Sequence, residues 1–110
     1  MDHRLRKNSQ FNYVYKKGER VFTDNFTLFV VKSKFECYKI GFSISKKLGK
    51  ANKRNLLKRR LKEIVKSLNN IPKFSNMVIL AKENSIELDF LQLKNEIKKL
   101  FDRYEDKKHS

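Results

Sequence analysis

Residues Ser43 to Leu68 read SISKKLGKANKRNLLKRRLKEIVKSL, and this stretch decides the fold. Leu57, Leu61, Ile64, Val65 and Leu68 fall at i, i+4, i+7, i+8 and i+11. That spacing makes one apolar stripe of an α-helix turned toward a core. At roughly 100° per residue, Asn55, Lys58, Arg59, Lys62 and Lys66 gather on another arc. Lys58, Lys62 and Lys66 are four residues apart, so their ammonium groups stack. Like charges at that spacing cost a helix about 0.2–0.5 kcal/mol per pair. A polyanion offsets the cost, and RNA phosphates repeat at a spacing such a face can follow. A merely solvated helix face mixes signs, whereas Glu63 is the sole acid between Lys46 and Lys66.

Upstream, Tyr38–Ile44 alternates, with Ile40, Phe42 and Ile44 inward and Lys39, Gly41 and Ser43 outward. Bare backbone and hydroxyls on the outward side would let a ligand approach closely. Phe26–Val31 is a second strand, with Phe26, Leu28 and Val30 on one face and Thr27, Phe29 and Val31 on the other. Asp24-Asn25 reads as a turn after a short edge strand, Arg20–Thr23. Ser9–Lys17 reads as a helix, capped by Asn8 or Ser9 and ended by Gly18 as its C′ residue. Phe11 and Tyr15 share one face of it, and aromatics so placed serve either a core or a surface on which bases stack.

Downstream, Ser45–Lys50 is a loop, the basic helix runs from about Ala51 to Asn69, and Pro72 blocks its continuation. Met77–Ala81 (MVILA) fits a buried strand parallel to an earlier one across the helix. Asp89 is placed as N-cap of a last helix, Gln92 as its capping-box partner, and Leu88 with Leu93 as a hydrophobic staple. Phe90, Leu93, Ile97, Leu100, Phe101 and Tyr104 form its inner stripe to about Glu105, before a polar, fraying tail at Asp106–Ser110. The order is α-β-β-β-α-β-α: a single α+β domain over residues 1–110, a small sandwich of helices on one sheet.

The formal net charge of +15 implies a polyanionic partner and salt-sensitive binding. An anionic membrane surface would attract the same charge, but no apolar run approaches the ~18 residues of a membrane span. The segment MDHRLRKNSQF has no apolar signal core, and Cys37, the single cysteine, reads as a small strand residue. A reducing, cytoplasmic setting follows as the expectation.

Catalytic and metal chemistry are not written into the chain. His3 and His109 lie near the termini with no partner at metal or catalytic spacing, and read as solvent-exposed side chains. The acids, such as Glu63, Glu83, Glu87 and Asp89, are scattered rather than clustered as a two-metal nuclease needs.

Taken together, RLRKNSQFNYVYKKG, KIGFSISKKLGKANKRNLLKRRLKEI, MVILAK and the LDF helix start resemble the bacterial ribonuclease P protein component over nearly the whole chain. The family hallmark is a Val-Gly-Leu-Ser-Val-Ser-Lys-Lys-type strand end followed by an Arg-Asn-Arg-x-x-Lys-Arg-type helix. Here these are Ile40–Lys47 and Arg54-Asn55-Leu56-Leu57-Lys58-Arg59. Leu56 replaces the second Arg, and Arg60, one turn on, stands where the family usually has an apolar residue.

The resemblance implies an auxiliary subunit of the enzyme that removes the 5′ leader of precursor tRNA. Its catalytic subunit is RNA, and that RNA binds the required magnesium, so the protein is expected to hold no metal of its own. Its partners would be the ribonuclease P RNA and precursor tRNA, with no obligate protein partner and no membrane. Carried over by position, a leader cleft would include Phe11, Tyr15, Phe29, Ser43, Lys58 and Lys62. The face toward the catalytic RNA would include Lys46, Lys47, Arg54, Asn55, Arg59 and Arg60. It further implies a left-handed βαβ crossover, which periodicity alone would not suggest. A structural, ribosomal-type RNA binder shares the size and charge; what separates it is that it has no use for Phe11, Tyr15 and Phe29 on one groove.

Overall fold

In the computed structural model, which describes residues 3–109, the chain forms α1 (Asn8–Lys17), β1 (Glu19–Phe22), β2 (Phe26–Lys32), β3 (Lys39–Ser43), α2 (Ala51–Ser67), β4 (Ser75–Ala81) and α3 (Phe90–His109). Two 3-10 turns, Lys46–Leu48 and Glu83–Glu87, precede α2 and α3. The four strands make one sheet in the order β1-β2-β4-β3. β2 runs antiparallel to both β1 and β4, and β3 runs parallel to β4 with α2 as the crossover.

Alternation along β2 gives the sheet two buried faces. Phe26, Leu28 and Val30 join Met77 and Ile79 of β4 beneath Leu57, Leu61, Ile64 and Val65 of α2 and Leu93, Ile97, Leu100 and Phe101 of α3. On the reverse face, Phe29 and Val78 pack with Val14 of α1 and Leu5. Burying an aliphatic or aromatic side chain contributes about 1.5–3 kcal/mol, and the α2 stripe supplies four such residues, so this packing offsets the repulsion along its lysines.

Local chemistry sets most element ends. Asp89 Oδ1 accepts from Gln92 N (2.8 Å) and Gln92 Oε1 from Asp89 N (2.9 Å), the full capping box at the start of α3. Phe90, expected in the inner stripe, is instead 37% exposed, because it is the first residue past that cap and the core begins at Leu93. α3 continues to His109 instead of fraying after Glu105. Basic residues suit the negative end of a helix dipole, and Lys107 Nζ bonds the Arg20 carbonyl at 3.2 Å.

The cap of α1 is not Asn8 or Ser9 but Lys7, where Gln10 Oε1 accepts from the amides of Arg6 (3.2 Å) and Lys7 (3.1 Å). Gly18 leaves α1 in an extended conformation (φ −75°), not a left-handed one. Cys37 lies just before β3 rather than in a strand. Ser110 and the side chain of His109 lie outside the described residues.

The opposite edge of the sheet is covered by the start of the chain. Leu5 N donates to the Ile40 carbonyl (3.1 Å) and Ile40 N to the His3 carbonyl (2.7 Å). His3 is therefore not a free surface side chain. Its ring stacks on Tyr38 at 4.0 Å and 10°, and its Nδ1 lies 2.8 Å from the Tyr38 carbonyl.

Candidate nucleic-acid interface

The outward face of β3 departs from expectation at Gly41. It offers no bare backbone to a ligand, because the Phe11 ring fills the space. A Cβ there would come within 2.6 Å of Phe11 Cε1 and 3.2 Å of Leu5 Cβ. Glycine thus lets α1 lie close against the edge strand, which sets the ring's position.

Beyond Gly41 the contact opens into a groove of about 490 Å³ lined by Asn8, Phe11, Asn12, Tyr15, Phe42 and Ser43. Phe29 lies beneath, only 8% exposed, with its ring edge-on to Tyr15 at 5.0 Å and 79°. Phe11, Tyr15 and Ser43 thus share one open groove, while Phe29 supports Tyr15 from the core. Phe42, assigned inward by alternation, is also a groove residue: β3 lies at the end of the four-strand order, so its side chains are incompletely covered.

Lys62 lines a second cavity, about 540 Å³, between α2 and the β3 edge, together with His3, Arg4, Ile40, Phe42 and Lys66. Phe42 belongs to both walls, so groove and cavity adjoin. Burial and the charges of Lys58, Arg4 and Lys66 hold the Lys62 ammonium below the usual lysine range. Three cations therefore act on a fourth, a field suited to phosphate. Lys58 itself is exposed one turn away. Arg4 joins this cluster through the N-terminal pairing, which no periodicity within α2 could reveal.

The remaining cations flank the start of α2. Lys46 and Lys47 are exposed in the 3-10 turn, where Ser45 Oγ accepts from Lys47 N at 3.2 Å. Arg54 Nε donates to the Gly49 carbonyl (3.0 Å), tying turn to helix, while Asn55 and Arg59 are exposed. Leu56 and Arg60 are half-buried and share a shallow cavity with Lys53 and Ile86, so Arg60 does stand beside the departure at Leu56.

Among the described residues, no three His, Cys, Asp or Glu side chains are grouped to hold a metal ion. No helix is long and apolar enough to cross a membrane. A groove of half-exposed aromatics beside a hollow lined by Arg4, Lys62 and Lys66 defines a small basic α+β protein suited to RNA.

The family model for ribonuclease P matches residues 1–105. The ribonuclease P protein component of Finegoldia magna is 43% identical over 93 residues, spanning 84% of this chain and 81% of that protein. That of Mycoplasmopsis pulmonis is 30% identical over 105 residues, spanning 94% and 93%. The solved ribonuclease P protein of Staphylococcus aureus superposes with a TM-score of 0.85 at 27% identity, over 94% of this chain and 96% of that one. That of Thermotoga maritima gives 0.83 at 28%, over 91% and 96%. The chain belongs to the ribonuclease P protein component family. It is an auxiliary subunit of that endoribonuclease, and its partner in the holoenzyme is the ribonuclease P RNA.

Proposed function

We propose that this subunit works in the cytoplasm by holding the single-stranded 5′ leader of precursor tRNA in the α1–β3 groove. Phe11 and Tyr15 stack unpaired bases, Phe29 braces Tyr15, and Ser43 supplies a hydroxyl at the groove end. Lys58 and Lys62 neutralise leader phosphates. Lys46, Lys47, Arg54, Asn55, Arg59 and Arg60 contact the ribonuclease P RNA, whose own magnesium activates the attacking water. The observation that carries this reading is the open groove of Phe11 and Tyr15 beside the Lys62 cluster. Stacking contributes about 1–3 kcal/mol per base without requiring a sequence, which suits an enzyme acting on many tRNAs. Base-edge readout would restrict it.

The test is cleavage of precursor tRNA by a bacterial ribonuclease P RNA at low magnesium, with and without the protein. The expected result is restored cleavage at the mature 5′ end, and a Tyr15→Ala variant that weakens leader-bearing but not leaderless tRNA. Tight RNA binding with no effect on cleavage would favour a structural RNA binder instead. The protein alone with magnesium is expected not to cut.

A further inference from the structure

The hollows do not stop at the Lys62 cluster. The cavity there adjoins another of about 340 Å³ through His3, which lines both. This last cavity opens between Tyr38, Ile71 and Lys73, with Glu36 among its walls. Groove and cavities therefore follow one another as a track beside β3, past the N-terminal segment that pairs with its edge. From Ser43 to Tyr38 it spans five residues, about 16 Å at ~3.3 Å per residue.

Past its far end, next in sequence to Glu36 and Lys73 of that cavity, two phenylalanines face solvent, Phe35 at 72% and Phe74 at 49% exposure. Phe74 holds φ 54°, an uncommon region for a bulky residue. Its N–H donates to the Glu36 carbonyl (3.0 Å) and its carbonyl accepts from Ser33 N (2.8 Å), so the loop carrying Phe35 clamps it. Such backbone persists only where its surroundings over-determine it, and it clusters at ligand clamps. Lys32, Lys34 and Lys73 surround the pair in sequence; Glu36 is the one acid there, 3.9 Å from Lys73.

We propose that this end of the track is a second site for unpaired RNA, and that its occupant is the 5′-ward portion of a long precursor leader. The inference rests on the leader reading above. Exposed rings among lysines stack any base and attract any phosphate, and they lack the paired donors and acceptors that read base edges. Continuity with the α1 groove favours the same strand over a separate RNA. Single-strand grooves of this kind engage roughly 4–16 nucleotides, so the occupant must outrun the first groove.

The test uses the holoenzyme and two precursor tRNAs, with leaders of roughly 4 and roughly 12 nucleotides, within that span. The variant is Phe35→Ser with Phe74→Gly; glycine accepts φ 54° without strain, so folding is not at risk. Substrate affinity for the long leader is expected to fall at least about fivefold, the low end for one stacked base, with the short leader unaffected. Glu36→Gln is expected to tighten the long leader alone. Equal effects on both leaders, no effect on either, or weakened binding of the ribonuclease P RNA itself would each overturn the proposal. Tyr15→Ala serves as control. If it weakens the short leader while the distal variant is silent, only the extension fails. If it too is silent, the leader reading has failed.

Discussion

Gly41→Ala places a methyl where the Phe11 ring now lies, 2.6 Å from Cε1. A Gly→Ala change with compatible geometry stabilises by about 0.4–1 kcal/mol, by restricting the unfolded chain. Here overpacking opposes it at about 1–3 kcal/mol. Phe11 is half-buried and can swing outward, so the overpacking cost stays below the upper end, at about 1.5–2 kcal/mol, and the net destabilisation is about 1 kcal/mol. With a urea m-value of about 1–2 kcal/mol/M, the unfolding midpoint drops by about 0.5–1 M. The swing also removes the ring from the groove, so leader affinity falls although residue 41 touches no solvent-facing ligand site. The assay is a double-mutant cycle with Phe11→Leu, whose smaller side chain makes room. The double variant should recover most of the stability lost by Gly41→Ala, a coupling of about 0.5 kcal/mol or more, but not the leader affinity. A Gly41→Ala protein as stable as the parent, with intact leader binding, would refute the claim that Phe11 is fixed by this contact.

Neutralising Lys58 or Lys66 should lower the slope of log affinity for RNA against log salt by about 0.7–0.9 per residue, measured by filter binding at several salt concentrations. Lys62→Met should raise stability relative to the parent at neutral pH, because the folded state disfavours the ammonium. With the folded pKa below the unfolded value of 10.5, the unfolded chain binds more protons between the two. The parent therefore gains stability relative to Lys62→Met as pH rises through that window, and paired denaturation curves should converge there. Glu96→Ala should cost about 1–3 kcal/mol in urea unfolding, since this carboxylate accepts from Thr23 Oγ1 (2.7 Å), Asn25 N (2.8 Å) and Asn25 Nδ2 (2.9 Å). Arg60→Ala should weaken binding to the ribonuclease P RNA, whereas Leu56→Arg should strengthen it; unchanged affinity in the first would remove Arg60 as a substitute for the missing arginine.

Local patterns carried much of the architecture. The Leu57-to-Val65 stripe, the alternation in β2 and the Asp89–Gln92 box depend on neighbours within a few residues, and each stands as the pattern implies. What was not legible depends on residues distant in sequence. Nothing near Gly41 tells that a ring from residue 11 fills its missing side chain. Nothing near His3 tells that it lies on Tyr38. Phe42 alternates like any strand residue, and only its place at the sheet margin makes it shared by two hollows. The basic character of α2 was plain, but the contribution of Arg4 to it arises from pairing across 36 residues, between Arg4 and Ile40.

The strand order has a consequence for synthesis. β4 lies between β2 and β3, yet it follows β3 and α2 in the chain. Until residue 81 has left the ribosome, β3 has only the short N-terminal segment to pair with and the basic helix has no complete floor to dock on. The RNA-facing half is therefore the last to be assembled, while the β1–β2 hairpin can form early from adjacent residues. A nascent chain in that state carries its cations before the packing that offsets their mutual repulsion is in place.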